Sequence, residues 1–131
     1  MVVIRQIKPK GEQMAKELTR ETNIPIAKLI VMAIHGGIPG NSFTNCRAMN
    51  ELGIAFLSTD NPEEREVIEK TFVDVLQNPR FDDCMQFVAL SFLKRTDAIV
   101  TDHTKDIIAE FEENPANVNV VTAVKERLAH F

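Results

Sequence analysis

Residues 81–107, FDDCMQFVALSFLKRTDAIVTDHTKDI, carry the pattern from which the fold is predicted. The first half predicts a helix, because apolar side chains recur at i, i+3, i+4, i+7 and i+8. Asp82 and Asp83 stand at its start, where carboxylates accept hydrogen bonds from free amides and favour the helix dipole. Residues 98–101 then form a short run of apolar and β-branched residues, which indicates a buried strand. The apolar stripe of the predicted helix consists of Met85, Val88, Ala89, Phe92 and Leu93.

Acidic side chains lie at both ends of this helix–strand unit. Asp83 opens the helix. Asp102, His103 and Asp106 follow the strand directly. Because sites in α/β sheets form at the ends of strands, these side chains are candidates for one site. Clustered carboxylates there suit a hard cation such as Mg²⁺ or Mn²⁺. The alternative is that the carboxylates only cap two helices, since caps are far commoner than metal sites.

The same stretch resembles the C-terminal half of the PIN domain, a Mg²⁺-dependent ribonuclease fold common among the toxins of toxin–antitoxin systems. Asp83 with Gln86 matches the D-x-x-Q-like helix start of that family. Residues 100–107, VTDHTKDI, match its V-T-x-[DN]-x-x-D-F-like strand end. The resemblance covers residues 51–131, including a short strand at 118–121 and a last helix. It implies an α/β fold in which a parallel sheet is flanked by helices.

The resemblance also assigns roles to the acidic residues. It implies that Asp83, Asp102 and Asp106 are catalytic. It further implies that Asp83 and Asp102 hold Mg²⁺ or Mn²⁺, with His103 beside them in contact with nucleic acid. The family's first catalytic Asp has no counterpart near residues 2–8, and losing a metal-binding carboxylate weakens metal affinity and activity strongly. We therefore expect weak metal binding and little or no cleavage; an active metal-dependent ribonuclease of the PIN type is the alternative.

The first forty residues indicate a different unit. Residues 2–8 are typical of a strand, and residues 12–22 and 25–34 are typical of two helices. This order, and the apolar positions of ETNIPIAKLIVMAI at 21–34, resemble the ribbon-helix-helix domain of antitoxin repressors. That family forms an intertwined dimer whose two-stranded ribbon enters the major groove of DNA. The resemblance implies a homodimer that binds DNA or RNA; a plain strand and helical hairpin is the alternative. The residues that would contact the nucleic acid are Arg5, Lys8 and Lys10.

Charge is unevenly distributed between this segment and the rest of the chain. Residues 1–40 contain six Lys and Arg against three Glu, a net charge of +3, in a chain whose net charge is −4. The remaining residues therefore carry −7. A basic N-terminal segment favours contact with the phosphates of a nucleic acid, although chance alone can produce so small an excess.

The middle of the chain completes the predicted architecture. Glycines concentrate in residues 36–50, so residues 39–50 are predicted to be a linker between a unit at 1–38 and one at 51–131. Residues 54–57 indicate a strand. From residue 54 onward the predicted order is β-α-α-β-α-β-α, which favours the α/β class with parallel pairing.

A further helix is predicted between residues 61 and 78. Asn61-Pro62-Glu63-Glu64 is a typical helix start, and Asn78-Pro79 ends the helix. The apolar spacing predicts one buried face. That face consists of Val67, Ile68, Phe72, Val75 and Leu76.

Composition bounds the protein class. With 44% hydrophobic and 26% charged residues, the chain has the balance of a globular domain. No apolar run approaches the length of a membrane span and no signal-peptide core opens the sequence, so we expect no membrane partner and a cytoplasmic location. Cys46 and Cys84 are too few for a disulfide framework, and neither has the spacing of a zinc ligand. The predicted function is nucleic-acid binding, in a protein related to toxin–antitoxin systems with a degenerate PIN-like domain.

Overall fold

The computed structural model describes residues 20, 22–35, 42–95 and 98–130, and every regular element among them is a helix. The predicted α/β class with a parallel sheet is therefore wrong for this part of the chain. The strand predicted at residues 2–8 lies outside the described residues.

The described chain forms six α-helices and one 3₁₀ turn, Pro115–Asn117. None of these helices combines the length and apolar composition needed to cross a membrane. The α-helices are α1 (Ile26–His35), α2 (Ser42–Ser58), α3 (Pro62–Gln77), α4 (Asp83–Leu93), α5 (Asp102–Glu113) and α6 (Val118–Leu128).

Polar residues start α3 and α4 where the sequence predicts. Asn61 Oδ1 accepts hydrogen bonds from two backbone amides in the first turn of α3, at 3.0 and 3.3 Å. Pro62 occupies the first helical position, where its missing amide proton costs nothing. Asp82 Oδ1 accepts a hydrogen bond from the Met85 amide at 2.9 Å and so caps α4. The predicted starts of both helices are confirmed.

The strand predicted at residues 54–57 is instead part of α2. Residues 51–56 are all buried, so this part of the helix has no polar side to produce a 3.6-residue period. Without that period, the sequence of a buried helix cannot be distinguished from that of a buried strand. The same helix also includes residues 42–50 of the predicted linker, and Ala48 and Met49 of that segment belong to the core.

The other two predicted strands are also absent. Residues 118–121 form the first turn of α6, where Val120, Val121 and Val124 are buried at helical spacing. Residues 98–101 are an irregular connection between α4 and α5. Ile99 in that connection is 76% exposed, whereas the prediction placed it in a buried strand.

The core is centred on α4, which packs against α2, α3 and α6. Helix α1 packs mainly on α2, and α5 packs on α3. Phe72 lies between Phe56 and Phe92, with ring centroids 6.2 and 6.3 Å apart, an arrangement that stabilises the core beyond simple area burial. Four of the five predicted core residues of α3 are buried; Val67, 49% exposed, is the exception.

A disulfide joins α2 to α4. It links Cys46 with Cys84, whose Cα atoms lie 6.5 Å apart, within the range that a disulfide can bridge. The two residues are 38 positions apart in sequence. Two cysteines cannot build a framework, but this pair cross-links two neighbouring helices of the core.

Candidate functional site

The predicted acidic residues lie at the starts of two helices. Asp83 is exposed in the first turn of α4, and Asp102 and Asp106 are exposed on α5. The Asp102 carboxylate lies 3.8 Å from Lys105 Nζ, a surface pair in water. Within the described residues, no group of three or more His, Cys, Asp or Glu side chains is placed to hold a metal ion. The sheet edge at which Mg²⁺ or Mn²⁺ was predicted to bind is not formed there.

Of the other predicted contact residues, the structure describes His103 alone, which lies in the first turn of α5. Thr101 Oγ1 accepts a hydrogen bond from the Thr104 amide at 3.2 Å, so Thr101 is the N-cap of α5 and Asp102 follows it. His103 is exposed beside the groove between α3 and residues 98–101. The predicted nucleic-acid contacts Arg5, Lys8 and Lys10 lie outside the described residues.

Among the described residues two glutamates are buried, and each binds a threonine that lies N-terminal to a helix. The first is Glu51 of α2, which is 2% exposed. Its Oε1 accepts hydrogen bonds from the Thr22 amide at 3.1 Å and from Thr22 Oγ1 at 2.7 Å. Arg20 Nε lies 3.5 Å from the same oxygen. Glu51 therefore holds the segment before α1 against α2.

Glu69 of α3 has the corresponding role at α5. Its Oε2 accepts hydrogen bonds from the Thr101 amide at 3.1 Å and from Thr101 Oγ1 at 3.0 Å. Thr104 Oγ1 donates a third to the same oxygen. Among the described residues Glu69 forms no ion pair. Through these three hydrogen bonds, Glu69 fixes the start of α5 on α3.

A cavity of about 240 Å³ lies where α2, α4 and α6 meet, and we call it the α2–α4–α6 cavity. At roughly 30 Å³ per molecule of liquid water, this is about the volume of eight waters. The last two turns of α4 form a wall, on which Phe87, Val88, Ser91 and Phe92 lie at i, i+1, i+4 and i+5, and Arg95 follows the helix end at Leu93. The lining residues are Asn50, Phe87, Val88, Ser91, Phe92, Arg95 and Arg127.

The cavity has an open rim and a buried floor. Asn50 of α2 and Arg127 of α6 are exposed and form the rim. Ser91, Phe92 and Arg95 are buried and form the floor. A ligand that enters between α2 and α6 would therefore contact polar groups at the rim and again at the floor.

Gly53 of α2 fixes one side of the floor. A Cβ atom at this position would lie 2.1 Å from the Phe92 ring, far inside van der Waals contact. The missing side chain lets the ring lie against the α2 backbone. Any larger residue would have to displace Phe92, which lines the cavity.

Ser91 differs from two other helical hydroxyl residues, Ser58 and Thr71. Ser58 Oγ donates to the Ile54 carbonyl at 2.7 Å, and Thr71 Oγ1 donates to the Val67 carbonyl at 2.9 Å. Both use the carbonyl four residues back, the usual partner of a helical hydroxyl. Ser91 Oγ is buried and finds no hydrogen-bond partner in the described chain. A buried hydroxyl without a partner costs free energy, so it indicates a group that a ligand or water can complete.

The two arginines give the cavity its charge. Arg95, 8% exposed, and the exposed Arg127 line it together, and a guanidinium stays protonated at every physiological pH. Each guanidinium carries five N–H donors, so an arginine that already contacts protein still has donors to offer a ligand. Phe87, Val88 and Phe92 supply apolar walls. The site combines positive charge with an apolar surface.

Sequence reasoning did not identify this site. It placed Asn50 in the linker predicted at residues 39–50 and selected Asp83, Asp102 and Asp106 as site residues instead. The available local signal was that Ser91 lies in the last turn of the predicted helix and Arg95 follows four residues later, just past the helix end. The facing residues from α2 and α6 come from distant parts of the chain and carry no local signal.

Comparison with known proteins gave no match to a protein-family model, to a curated protein or to a solved structure.

Proposed function

We propose that this protein binds a small organic anion in the α2–α4–α6 cavity. The observation that carries the proposal is the position of Arg95 and Arg127 on the same cavity as the buried Ser91, whose hydroxyl has no hydrogen-bond partner among the described residues. Guanidinium groups recognise carboxylates and phosphates by charge-assisted hydrogen bonds. The chain as a whole carries −4, so a cavity with two cations favours an anion locally against the net charge.

The walls favour a ligand with two parts. Its anionic group, a carboxylate or a phosphate monoester, would lie between the arginines and Asn50. After rotation about its Cα–Cβ bond, the Ser91 hydroxyl would donate to the same group. A small apolar or aromatic part would contact Phe87, Val88 and Phe92. A volume of about 240 Å³ suits a molecule of this size, below the roughly 300 to 1,000 Å³ of most drug-sized ligand pockets.

A binding role agrees better with these residues than a nuclease role. A metal-dependent nuclease needs converging carboxylates that hold a cation near the phosphodiester. The carboxylates predicted for that role lie on exposed helix starts, and the polar lining residues that the structure describes are cationic or neutral.

Isothermal titration calorimetry with phenyl phosphate and with benzoate tests the proposal. We expect both anions to bind the parent protein, and Arg127→Gln to weaken binding about tenfold, equivalent to about 1.4 kcal/mol. Ser91→Ala should weaken it by a smaller factor, because a neutral hydrogen bond is weaker than a charge-assisted one. Arg95→Lys is a second test that keeps the charge but loses the planar fork.

Matched controls separate the site from general charge effects. Lys125→Gln removes the same charge from the same helix, at an exposed residue outside the cavity lining. Ser58→Ala removes a helical hydroxyl whose hydrogen bond is already satisfied. Neither should change the affinity. Equal losses in Lys125→Gln and Arg127→Gln, or equal binding of cationic benzylamine and benzoate, would refute the proposal.

Nucleic-acid binding by residues 1–38 is a second proposal, supported by the +3 net charge of residues 1–40 against −7 in the remainder. Helix α1 directs its buried residues Leu29 and Ala33 into the core of its own chain, where it packs mainly on α2. Dimerisation through this segment would therefore depend on residues before α1.

Fluorescence anisotropy with a labelled DNA duplex tests this second proposal. Affinity should fall steeply with added salt, because binding releases condensed counterions. The double substitution Arg5→Ala and Lys8→Ala should weaken binding and reduce the salt slope by about two. Lys28→Ala, which removes an exposed charge from α1, is the control. Binding that is insensitive to salt would exclude a phosphate-contacting segment.

A further inference from the structure

We infer that the Cys46–Cys84 disulfide is a redox latch on the α2–α4–α6 cavity: it fixes the spacing of the cavity walls, so that reduction loosens them and lowers the affinity of that cavity for its anion. This inference rests on the proposed function for its ligand. The disulfide itself is a separate observation, because it is a covalent link between two of the three helices that enclose the cavity.

The position of the latch follows from helical spacing. Asn50 lies four residues after Cys46 on α2, one turn further along the same face. Phe87 and Val88 lie three and four residues after Cys84 on α4, again one turn away. The disulfide therefore holds together two helices whose next turns form facing parts of the cavity wall.

The rest of the α2–α4 contact does not depend on the disulfide. Further along the two helices, Phe92 lies against Gly53 and stacks with Phe72 in the core. These contacts, and the buried Ala48, Met49 and Met85 nearer the disulfide, remain when it is broken, so the fold persists while the spacing of α2 and α4 at the latch end is no longer fixed by a covalent bond. A cavity whose walls are no longer fixed must be ordered by its ligand, and this ordering reduces affinity.

The reaction is thiol–disulfide exchange with a dithiol reductant. Cys84 is exposed and Cys46 is half-buried, so the reductant thiolate attacks Cys84 Sγ. The S–S bond breaks, its electron pair goes to Cys46 Sγ, and that sulfur takes up a proton. The second thiol of the reductant then attacks the mixed disulfide and releases Cys84 as a thiol. Two electrons and two protons pass to the protein, and the reductant leaves as a disulfide.

The test compares phenyl phosphate affinity in the oxidised protein, in the dithiothreitol-reduced protein and in the Cys46→Ser, Cys84→Ser double variant. We expect reduction to weaken binding by about threefold to tenfold, the size of a modest loss of preorganisation. The double variant should bind as weakly as the reduced parent and should not respond to dithiothreitol. Equal affinity in oxidised and reduced parent protein would overturn the latch and leave the anion site standing.

Amide hydrogen exchange gives a readout that needs no ligand. On reduction, protection should fall in residues 46–50 and 84–88 and should be retained around Phe72 in α3. This result supports the latch even if phenyl phosphate does not bind, in which case only the proposed function fails. Unchanged protection at residues 46–50 and 84–88 would overturn the latch whatever the ligand result.

Discussion

The two buried glutamates perform the same structural task with different chemistry. Glu51 accepts both hydrogen bonds of Thr22 and has the guanidinium of Arg20 within 3.5 Å. Glu69 accepts three hydrogen bonds from Thr101 and Thr104 and forms no ion pair with a described residue. A buried carboxylate needs compensation for lost hydration, and the chain supplies it once with a cation and once with hydroxyl and amide donors alone.

The two sites differ in how far water can replace the carboxylate when it is removed. At Glu51 the partners are half-buried, since the Arg20 side chain is 27% exposed, so water can replace part of what the carboxylate provides. At Glu69 the Thr104 donor is 2% exposed, so water cannot easily reach it. We infer that Glu51 depends mainly on charge and Glu69 mainly on the geometry of its donors. Four predictions test this difference.

The largest expected effect is that of removing each carboxylate. Glu69→Ala should lower the free energy of unfolding by about 3 kcal/mol, because the buried Thr104 hydroxyl loses its acceptor. Glu51→Ala should cost about 2 kcal/mol, because water reaches its partners. Urea denaturation followed by circular dichroism measures both. Glu66→Ala, at an exposed glutamate of α3, is the control and should change stability by less than about 0.5 kcal/mol. A smaller loss for Glu69→Ala than for Glu51→Ala would contradict the inferred difference.

Replacement by glutamine should reverse the order. Glu69→Gln keeps an oxygen that can accept the same three donors and removes a buried charge that has no cationic partner, so we expect a cost of at most about 1 kcal/mol. Glu51→Gln removes the charge opposite Arg20 and should cost about 1 to 2 kcal/mol. The same denaturation experiment compares the pair. If Glu69→Gln is the more damaging substitution, charge matters at both sites and the distinction fails.

The third effect concerns the threonines. Thr101 is also the N-cap of α5, so Thr101→Ala removes a helix cap together with its hydrogen bond to Glu69 and should cost about 1 to 2 kcal/mol. Thr22 caps no described helix, and Thr22→Ala should cost about 0.5 to 1 kcal/mol. Thermal unfolding measures the two variants, with Thr122→Ala on an exposed position of α6 as the control. Equal losses would mean that the cap of α5 contributes little.

The sequence predicts the starts of α3 and α4 correctly, because the residues that determine each start are neighbours in the chain. Asn61 and Asp82 carry their helix-start signals within a few residues, and the one-sided apolar spacing of α4 lies in a single segment. The buried glutamates carry no such signal, because Glu51 and Glu69 bind partners 29 and 32 residues away in the chain. The sequence of residues 51–56 likewise does not distinguish a helix from a strand. All six residues are buried, so no polar face reveals the helical period.

The candidate cavity could be predicted only in part, because its lining residues come from segments that are distant in the sequence. Ser91 lies on a helix that the sequence does predict, and Arg95 lies two residues past the end of that helix. Their neighbours across the cavity, Asn50 and Arg127, are brought there by the packing of α2 and α6 on α4. Sequence reasoning instead selected Asp83, Asp102 and Asp106, because acids at a helix start and after a predicted strand match the PIN-like motifs. Residues 98–101 form an irregular connection instead of a strand, so the motif does not place these acids at the end of a strand.

The smallest expected effect is the response of the two sites to salt. Double-mutant cycles measure it, with Arg20→Met and Glu51→Gln in one cycle and Thr104→Val and Glu69→Gln in the other. Raising the salt concentration from about 0.1 M to about 1 M shortens the Debye length from roughly 10 to roughly 3 Å. The Arg20–Glu51 coupling should fall by a few tenths of a kcal/mol, because part of the guanidinium faces solvent.

The Thr104–Glu69 coupling should stay constant across the same salt range. The Thr104 hydroxyl carries no net charge and lies 2% exposed, so counterions neither approach the contact nor screen it. Urea denaturation at both salt concentrations, with each cycle corrected for the salt response of the parent protein, gives the comparison. If the coupling energies of both pairs fall equally with salt, Glu69 is stabilised by charges beyond its three donors. The two glutamates would then both depend on charge and would differ only in how strongly.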